Sequence, residues 1–233
     1  MAASLSAQSV LSTKAGLVSD GGEVYMDDRR VEISPSGIVM VNENAVLRTG
    51  AGKAEVLLGP CAAIWIDENS SFRLISNDII DTRIEWLTGS AVVGAGAFQG
   101  GAQITVQLRA VSVLVRRKGA YRFNSQSPGV KVLAGKTIVH WENRDIPVTA
   151  GWLLTLDASA RVSRFDRRNT DLLNDWSKSR AAYLVRAWVP QKEVVPGPSD
   201  PLPVNSRRGG VVVPRRGIPP LPNSDSGCSI PPW

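Results

Sequence analysis

Between Gly52 and Ser76 the chain reads GKAEVLLGPCAAIWIDENSSFRLIS, which sets two adjacent carboxylates, Asp67 and Glu68, beside a thiol, Cys61, an indole, Trp65, and the polar pair Asn69 and Ser70. Paired carboxylates are the working groups of general acid–base chemistry and of glycoside cleavage, where two carboxyls face one bond from roughly 5 to 10 Å apart. Neighbours in a strand or turn point apart, so Asp67 and Glu68 are badly placed for that work. The alternations Val56/Leu58, Ile64/Ile66 and Phe72/Leu74 predict three strands instead, joined by a turn at Gly59 and Pro60 and by a second turn, DENSS. In such a turn Asp67, Asn69 and Ser70 bond backbone amides two residues on. The stretch therefore reads as scaffold.

Other groups fail in similar ways. GAGAFQGG, Gly94 to Gly101, has the glycines of a phosphate cradle, but AQITVQL after it alternates as a strand, where a nucleotide loop must open a helix. Ser90 lacks a nucleophile elbow and a His/Asp partner set. The single histidine, His140, and the two cysteines, Cys61 and Cys228, offer neither a zinc quartet nor a disulfide framework. SGC at Cys228 imitates the end of a lipobox, but lipid modification belongs beside an N-terminal signal. No metal or other cofactor is expected, and no enzyme activity. Trp65, Trp86, Trp141 and Trp152 fall in strand-like runs; packing is the expected role, and a row that stacks on sugars is the alternative.

The elements that must position these residues are mostly strands. From Gly21 to Arg164, sixteen short apolar alternations, EVYM through WLLTLD, are separated by turn residues such as Gly89, Gly119, Gly135 and Gly151. This predicts an all-β domain over 21–168, a sandwich or a solenoid-like stack. The period then changes. Leu172, Leu173, Trp176, Arg180, Tyr183, Leu184 and Ala187 recur at three and four, which predicts one amphipathic helix over 169–189, capped by Asn169 or Thr170, with Asp171 in its first turn and Pro190 as its stop. Its expected role is to dock through Leu173, Trp176, Tyr183 and Leu184 over an end or edge of the stack. Eleven of the fifteen prolines lie from Pro190 onward, so 190–233 is expected to be extended and disordered.

Length and charge bound the rest. The 233 residues suffice for one sizeable core, and no apolar run is long enough to span a membrane as a helix. The net charge of +6 is spread over scattered pairs such as Arg29/Arg30 and Arg167/Arg168, with no basic stripe for specific nucleic-acid binding. The opening MAASLSAQS has the small residues that surround a signal-peptidase site without the basic and apolar regions that precede one. The expectation is a flexible start or the remnant of a truncated export signal over 1–20.

LRTGAGKAEVLLGPCAAIWIDENSSFRLIS, followed by TRIEWLTGSAVVGA, resembles the FecR-type domain; so do ITVQLRAVSVLVRRKGAYRFN and the glycine-punctuated strands after it. FDRRNTDLLNDWSKSRAAYL is similar to the segment that follows this domain in a secreted, acidobacterial-like branch of the family. The motif positions are Gly52, Lys53, Ala54, Glu55, Pro60, Asn69, Ser70, Gly89, Gly119, Trp176 and Arg180. Cys61 stands where the family places a glycine, which bears on the turn because only glycine takes positive φ freely. The resemblance implies a non-enzymatic, periplasmic or extracellular binding, assembly or sensing module with a protein partner in the cell envelope. The anti-sigma and transmembrane segments of the signalling members have no counterpart here. A basic module binding acidic glycan through the tryptophans is the alternative, and a carboxylate-based glycan-cleaving enzyme is a further one.

Overall fold

The computed structural model describes residues 15–19, 22–32, 37–59, 61–78, 80–98, 100–157 and 160–188, with Ile230 and Trp233. Pro60, most of the proline-rich tail and the first residues lie outside this set. The described chain forms two nine-stranded sheets packed face to face and one helix, so the all-β expectation holds and the sandwich is its form. The first sheet runs β18 (Arg161–Arg164), β17 (Trp152–Thr155), β14 (Gly129–Ala134), β13 (Gly119–Asn124), β10 (Ser90–Ala95), β7 (Ala62–Ile66), β6 (Ala54–Leu57), β1 (Gly16–Ser19), β4 (Val39–Met40). The second runs β16 (Arg144–Thr149), β15 (Lys136–Trp141), β12 (Val111–Val115), β11 (Gln103–Leu108), β9 (Asp81–Thr88), β8 (Ser71–Asn77), β5 (Val46–Thr49), β2 (Val24–Met26), β3 (Arg29–Arg30).

From β6 onward the chain alternates between the sheets and advances along both. Neighbours pair antiparallel except β9 and β11, which are parallel because β10 lies between them in sequence but in the other sheet. GAGAFQGG is part of that crossover. Two of the strands escape the sequence reading. β1 is four residues inside the segment expected to be a tail, and β18, RVSR, is a polar edge strand whose exposed face carries no apolar alternation.

The two sheets differ in pattern because they differ in cover. In the second sheet, Ile104, Val106 and Leu108 of β11, and Val111, Val113 and Val115 of β12, are buried while the residues between them are not. That is the period of two for a sheet wet on one face. In the first sheet all of AEVL in β6 and AAIWI in β7 is buried. Alternate residues such as Val56, Ile64, Ile66 and Val93 enter the core between the sheets, whereas Leu57, Ala63, Trp65 and Val92 enter a second core on the outer face.

A polar seam joins the sheets at one corner. The Ser70 amide donates to Thr49 Oγ1 at 3.0 Å, Ser70 Oγ accepts from the Ser90 amide at 3.0 Å, and Asn124 donates to Ser90 Oγ at 3.0 Å. Gly89 turns the chain at the centre of this seam with φ +76°, and a Cβ there would lie 2.0 Å from Ser70 Oγ. Left-handed backbone and a lack of space therefore both demand glycine. Gly89→Ala should cost about 2 to 4 kcal/mol in strain and displaced packing. Thermal unfolding should show a melting temperature lower by roughly 5 to 15 °C, and a shift below 2 °C would contradict the account.

Candidate functional site

In the stretch from Gly52 to Ser76 the polar residues Asp67, Asn69 and Ser70 are engaged within the chain itself. Asp67 pairs with Lys53 at 3.6 Å, Asn69 takes the left-handed conformation with φ 50°, and Ser70 is spent on the seam. Ala54 points into the inter-sheet core, and Gly52 and Gly119 each lie where a Cβ would strike backbone or the Tyr121 hydroxyl. These motif residues shape the chain. Glu55 and Arg180 do something else.

The helix α1 (Leu172–Trp188) lies on the outer face of the first sheet, touching β7 and β10. Cross-strand register places Glu55, Trp65, Val92, Arg122 and Lys131 in one row on that face, perpendicular to the strands. Arg180 grips the first of them. Its Nε donates to Glu55 Oε2 and its Nη2 to Oε1, both at 2.9 Å, and Trp65 Nε1 donates to Oε2 at 2.7 Å. The Glu55 side chain is 1 % exposed, so this fork and indole replace its water. At the other end Arg122 donates to Asp171 and, at 2.9 Å, to Asn174. Glu55 and Arg122 are three strands apart, about 14 Å; the six to nine residues from Asn174 or Asp171 to Arg180 span about 9 to 14 Å of helix. The helix thus crosses the central strands and is clamped at both ends.

This corrects the expected docking. The helix covers the middle of a sheet face, because the apolar outer row there needs burial and the sheet edges lie elsewhere. Leu173, Ser177, Ala181 and Leu184 are buried and Trp176 partly so, but Tyr183 is 59 % exposed under the Arg180 guanidinium. Small residues at Ser177 and Ala181 let the helix approach the sheet closely. Asp171 is also the cap itself, accepting the Asn174 amide at 3.0 Å, in place of Asn169 or Thr170.

Beside the helix, the same outer face holds two side chains from far along the sequence. Ile230 is 4 % exposed in the second core, and the Trp233 ring lies 5.8 Å from Trp65 at 46°. The expectation of a disordered tail therefore does not extend to these residues, whose apolar side chains find a groove in the sheet face. A small cleft shared by Leu133, Phe165, Arg167, Thr170, Asn174 and Lys178 adjoins Trp233. Cys61, in the turn just before β7, is disulfide-bonded, against the expectation from cysteine spacing, which carries no information about tertiary proximity. The chain's other cysteine, Cys228, lies outside the described residues. Cys61 has φ 68°, a left-handed conformation that glycine takes more freely than any other residue.

The tryptophan row does not assemble. Trp65 is fully buried against Glu55, and Trp86 is 2 % exposed and stacked on Phe72, so neither can meet a glycan. Trp141 and Trp152 are half-buried on different sheets, each beneath an arginine, Arg144 and Arg164 respectively. His140 faces Asp145 across the β15–β16 pair on an exposed surface. A basic feature that the scattered charges conceal is an open cleft of about 580 Å³, where Arg116, Arg117, Lys118 and Lys136 gather beside Phe98. Among the described residues no group of acids, histidines and cysteines forms a metal site, and no helix is long and apolar enough to cross a membrane.

No family model matches the chain, and no curated protein matches it. Two similar solved structures are crystal structures of a putative anti-sigma factor from Parabacteroides distasonis ATCC 8503. One is 13% identical with a TM-score of 0.43, covering 61% of this chain and 60% of its own. The other is 14% identical with a TM-score of 0.41, covering 61% and 62%. The chain thus matches about three fifths of the length of these neighbours, and at this distance the site rests on its own residues.

Two outcomes follow from the clamp. Arg180→Leu leaves the Glu55 carboxylate buried with one donor and should cost about 3 to 5 kcal/mol, whereas adding Glu55→Leu should restore much of it; chemical denaturation of both variants separates the charge from the packing. Burial pushes the Asp171 carboxyl up, but the Asn174 amide and the Arg122 guanidinium outweigh it and hold its pKa below the ordinary 3.8. A lowered pKa contributes stability above the unfolded value that is lost as pH falls through the folded one, so this contribution fades below about pH 4. In an acid titration followed by helical circular dichroism, Asp171→Asn should lack the part of the transition that the Arg122 pair supplies.

Proposed function

We propose that this chain is a non-enzymatic, FecR-like binding module of the cell envelope and that its ligand is a segment of protein. The observation that carries this reading is the outer face of the first sheet, where a groove beside a clamped helix receives Ile230 and Trp233, side chains remote in sequence from its walls. A sheet face that accommodates one aliphatic and one aromatic anchor has the chemistry of a peptide site, where affinity comes from a few buried anchors. The Glu55 carboxylate in that face is occupied by hydrogen bonds from Arg180 and Trp65. The FecR-type motif from Lys53 to Ser76 supports the same class. The Cys61 disulfide supports a periplasmic or extracellular location, since such bonds persist in oxidising compartments.

A second reading has its own observation. Four cations around the Phe98 cleft would suit an acidic glycan. Salt tells the two apart, because charge-driven binding is screened and apolar anchoring is not. The chain ending at residue 189 should bind a synthetic copy of residues 226–233 with a dissociation constant near micromolar, about −8 kcal/mol, in low and high salt alike. If calorimetry finds no such binding, and an acidic polysaccharide binds at low salt and dissociates at high salt, the glycan reading takes its place.

A further inference from the structure

We propose that the outer face of the second sheet docks on an anionic phospholipid surface, with a headgroup phosphate seated in the Phe98 cleft among Arg116, Arg117, Lys118 and Lys136, and with Ile80 and Ile138 pressed into the interfacial layer beside it. The helix and the peptide groove belong to the first sheet, on the opposite side of the sandwich, so this inference stands or falls independently of the groove.

The cations are held together by the core. β12 ends at Val115 and β13 begins at Gly119, so Arg116, Arg117 and Lys118 form the short crossing between the two sheets at this end. Gly135 turns the chain from β14 into β15 with φ +80° and delivers Lys136 beside them; a Cβ there would lie 2.4 Å from the Lys118 carbonyl oxygen. Tyr121, fully buried, donates its hydroxyl between the carbonyl oxygens of Arg117, at 3.1 Å, and Lys136, at 3.0 Å. The two crossings are thereby tied to each other, and four like charges that repel are kept around one opening of about 580 Å³. A phosphate group, with its negative charge and several acceptor oxygens, complements that opening. The carboxylate next along the row, Asp81, is matched by its own cation: it accepts from Arg83 at 2.8 Å and from Gln103 at 3.0 Å, and Gln103 in turn accepts from Arg116 at 2.8 Å.

Apolar side chains adjoin the cations, and they decide between a lipid and a sugar. Lys136 and Ile138 are two apart on β15 and share its outer face, and Leu114 stands opposite Ile138 on β12. Pro147 faces Ile138 from β16 and is exposed. Ile138 is 39 % exposed, and Ile80, whose carbonyl accepts the Gln103 amide at the start of β11, is 58 % exposed. An acidic glycan offers no apolar layer to bare aliphatic side chains, whereas a bilayer interface takes cations at its phosphates and aliphatic groups just below them.

The test uses the full chain in sedimentation with phosphatidylcholine vesicles, with and without about 30 % phosphatidylglycerol. Partitioning onto the anionic vesicles should exceed that onto neutral ones by about tenfold or more in low salt, and should decline as salt rises. Lys136→Ala should weaken it about fivefold, the share of one cation at a membrane surface, while Arg161→Ala on the edge of the first sheet leaves it unchanged. Ile80→Ser combined with Ile138→Ser keeps every charge and should also weaken it about fivefold, with the circular dichroism of the native chain retained because both positions are exposed. Equal partitioning onto neutral and anionic vesicles, or displacement of the chain from them by inorganic phosphate at the same phosphorus concentration, would overturn the proposal. So would unchanged vesicle binding by the double serine variant; equal binding of an acidic polysaccharide by that variant and the native chain would then assign the cleft to a glycan.

Discussion

A carboxylate buried in an apolar sheet face is tolerable only if something supplies the hydrogen bonds that water would have made, and Glu55 obtains three from Arg180 and Trp65. That demand determines where the helix goes. Arg180 must reach the middle strands, so α1 crosses them, and its first turn then falls over Arg122, which faces it with opposite charge to Asp171. The fork geometry of a guanidinium fixes orientation as well as position, which a single lysine contact would not. Removal of this pairing would leave a charged residue at the centre of the second core.

The rest of the first sheet is adapted to being covered. Its central strands are apolar on both faces, whereas those of the second sheet alternate, and the difference is the presence of a third layer on one side only. Small residues thin the layer where contact is closest: Ala63 and Gly94 on the sheet, Ser177 and Ala181 on the helix. The groove that receives Ile230 and Trp233 is continuous with this thin region. Its depth is a consequence of how the helix is held, since the Trp65 ring that walls it is itself oriented by Glu55.

Charge outside the two clamps lies elsewhere on the surface. Arginines cover half-buried aromatic rings, as Arg144 does Trp141 and Arg164 does Trp152, where the guanidinium plane stacks on the ring while its edge stays in water. The cations of the Phe98 cleft come from the turn before β13 and the start of β15, so a modest net charge becomes locally concentrated. The two candidate surfaces, one apolar and one basic, are built from different elements.

The sequence by itself determined the all-β class, sixteen of the strand positions, the turns and the helix, because periodicity and turn chemistry are local properties written in consecutive residues. It also contained hints that local reasoning could not weigh: the unbroken apolar run AAIWI announces a doubly covered strand, and Cys61 in a glycine's place announces a residue kept at the cost of a left-handed backbone. Neither hint names a partner. Which face the helix covers, why Glu55 is buried, that Cys61 is bonded and that Ile230 and Trp233 return to the sheet were decided by the tertiary structure. Each depends on pairs separated by dozens to well over a hundred positions, such as Glu55 with Arg180 and Trp65 with Trp233. Strand register and helix placement bring such pairs together, and no spacing along the chain encodes that distance.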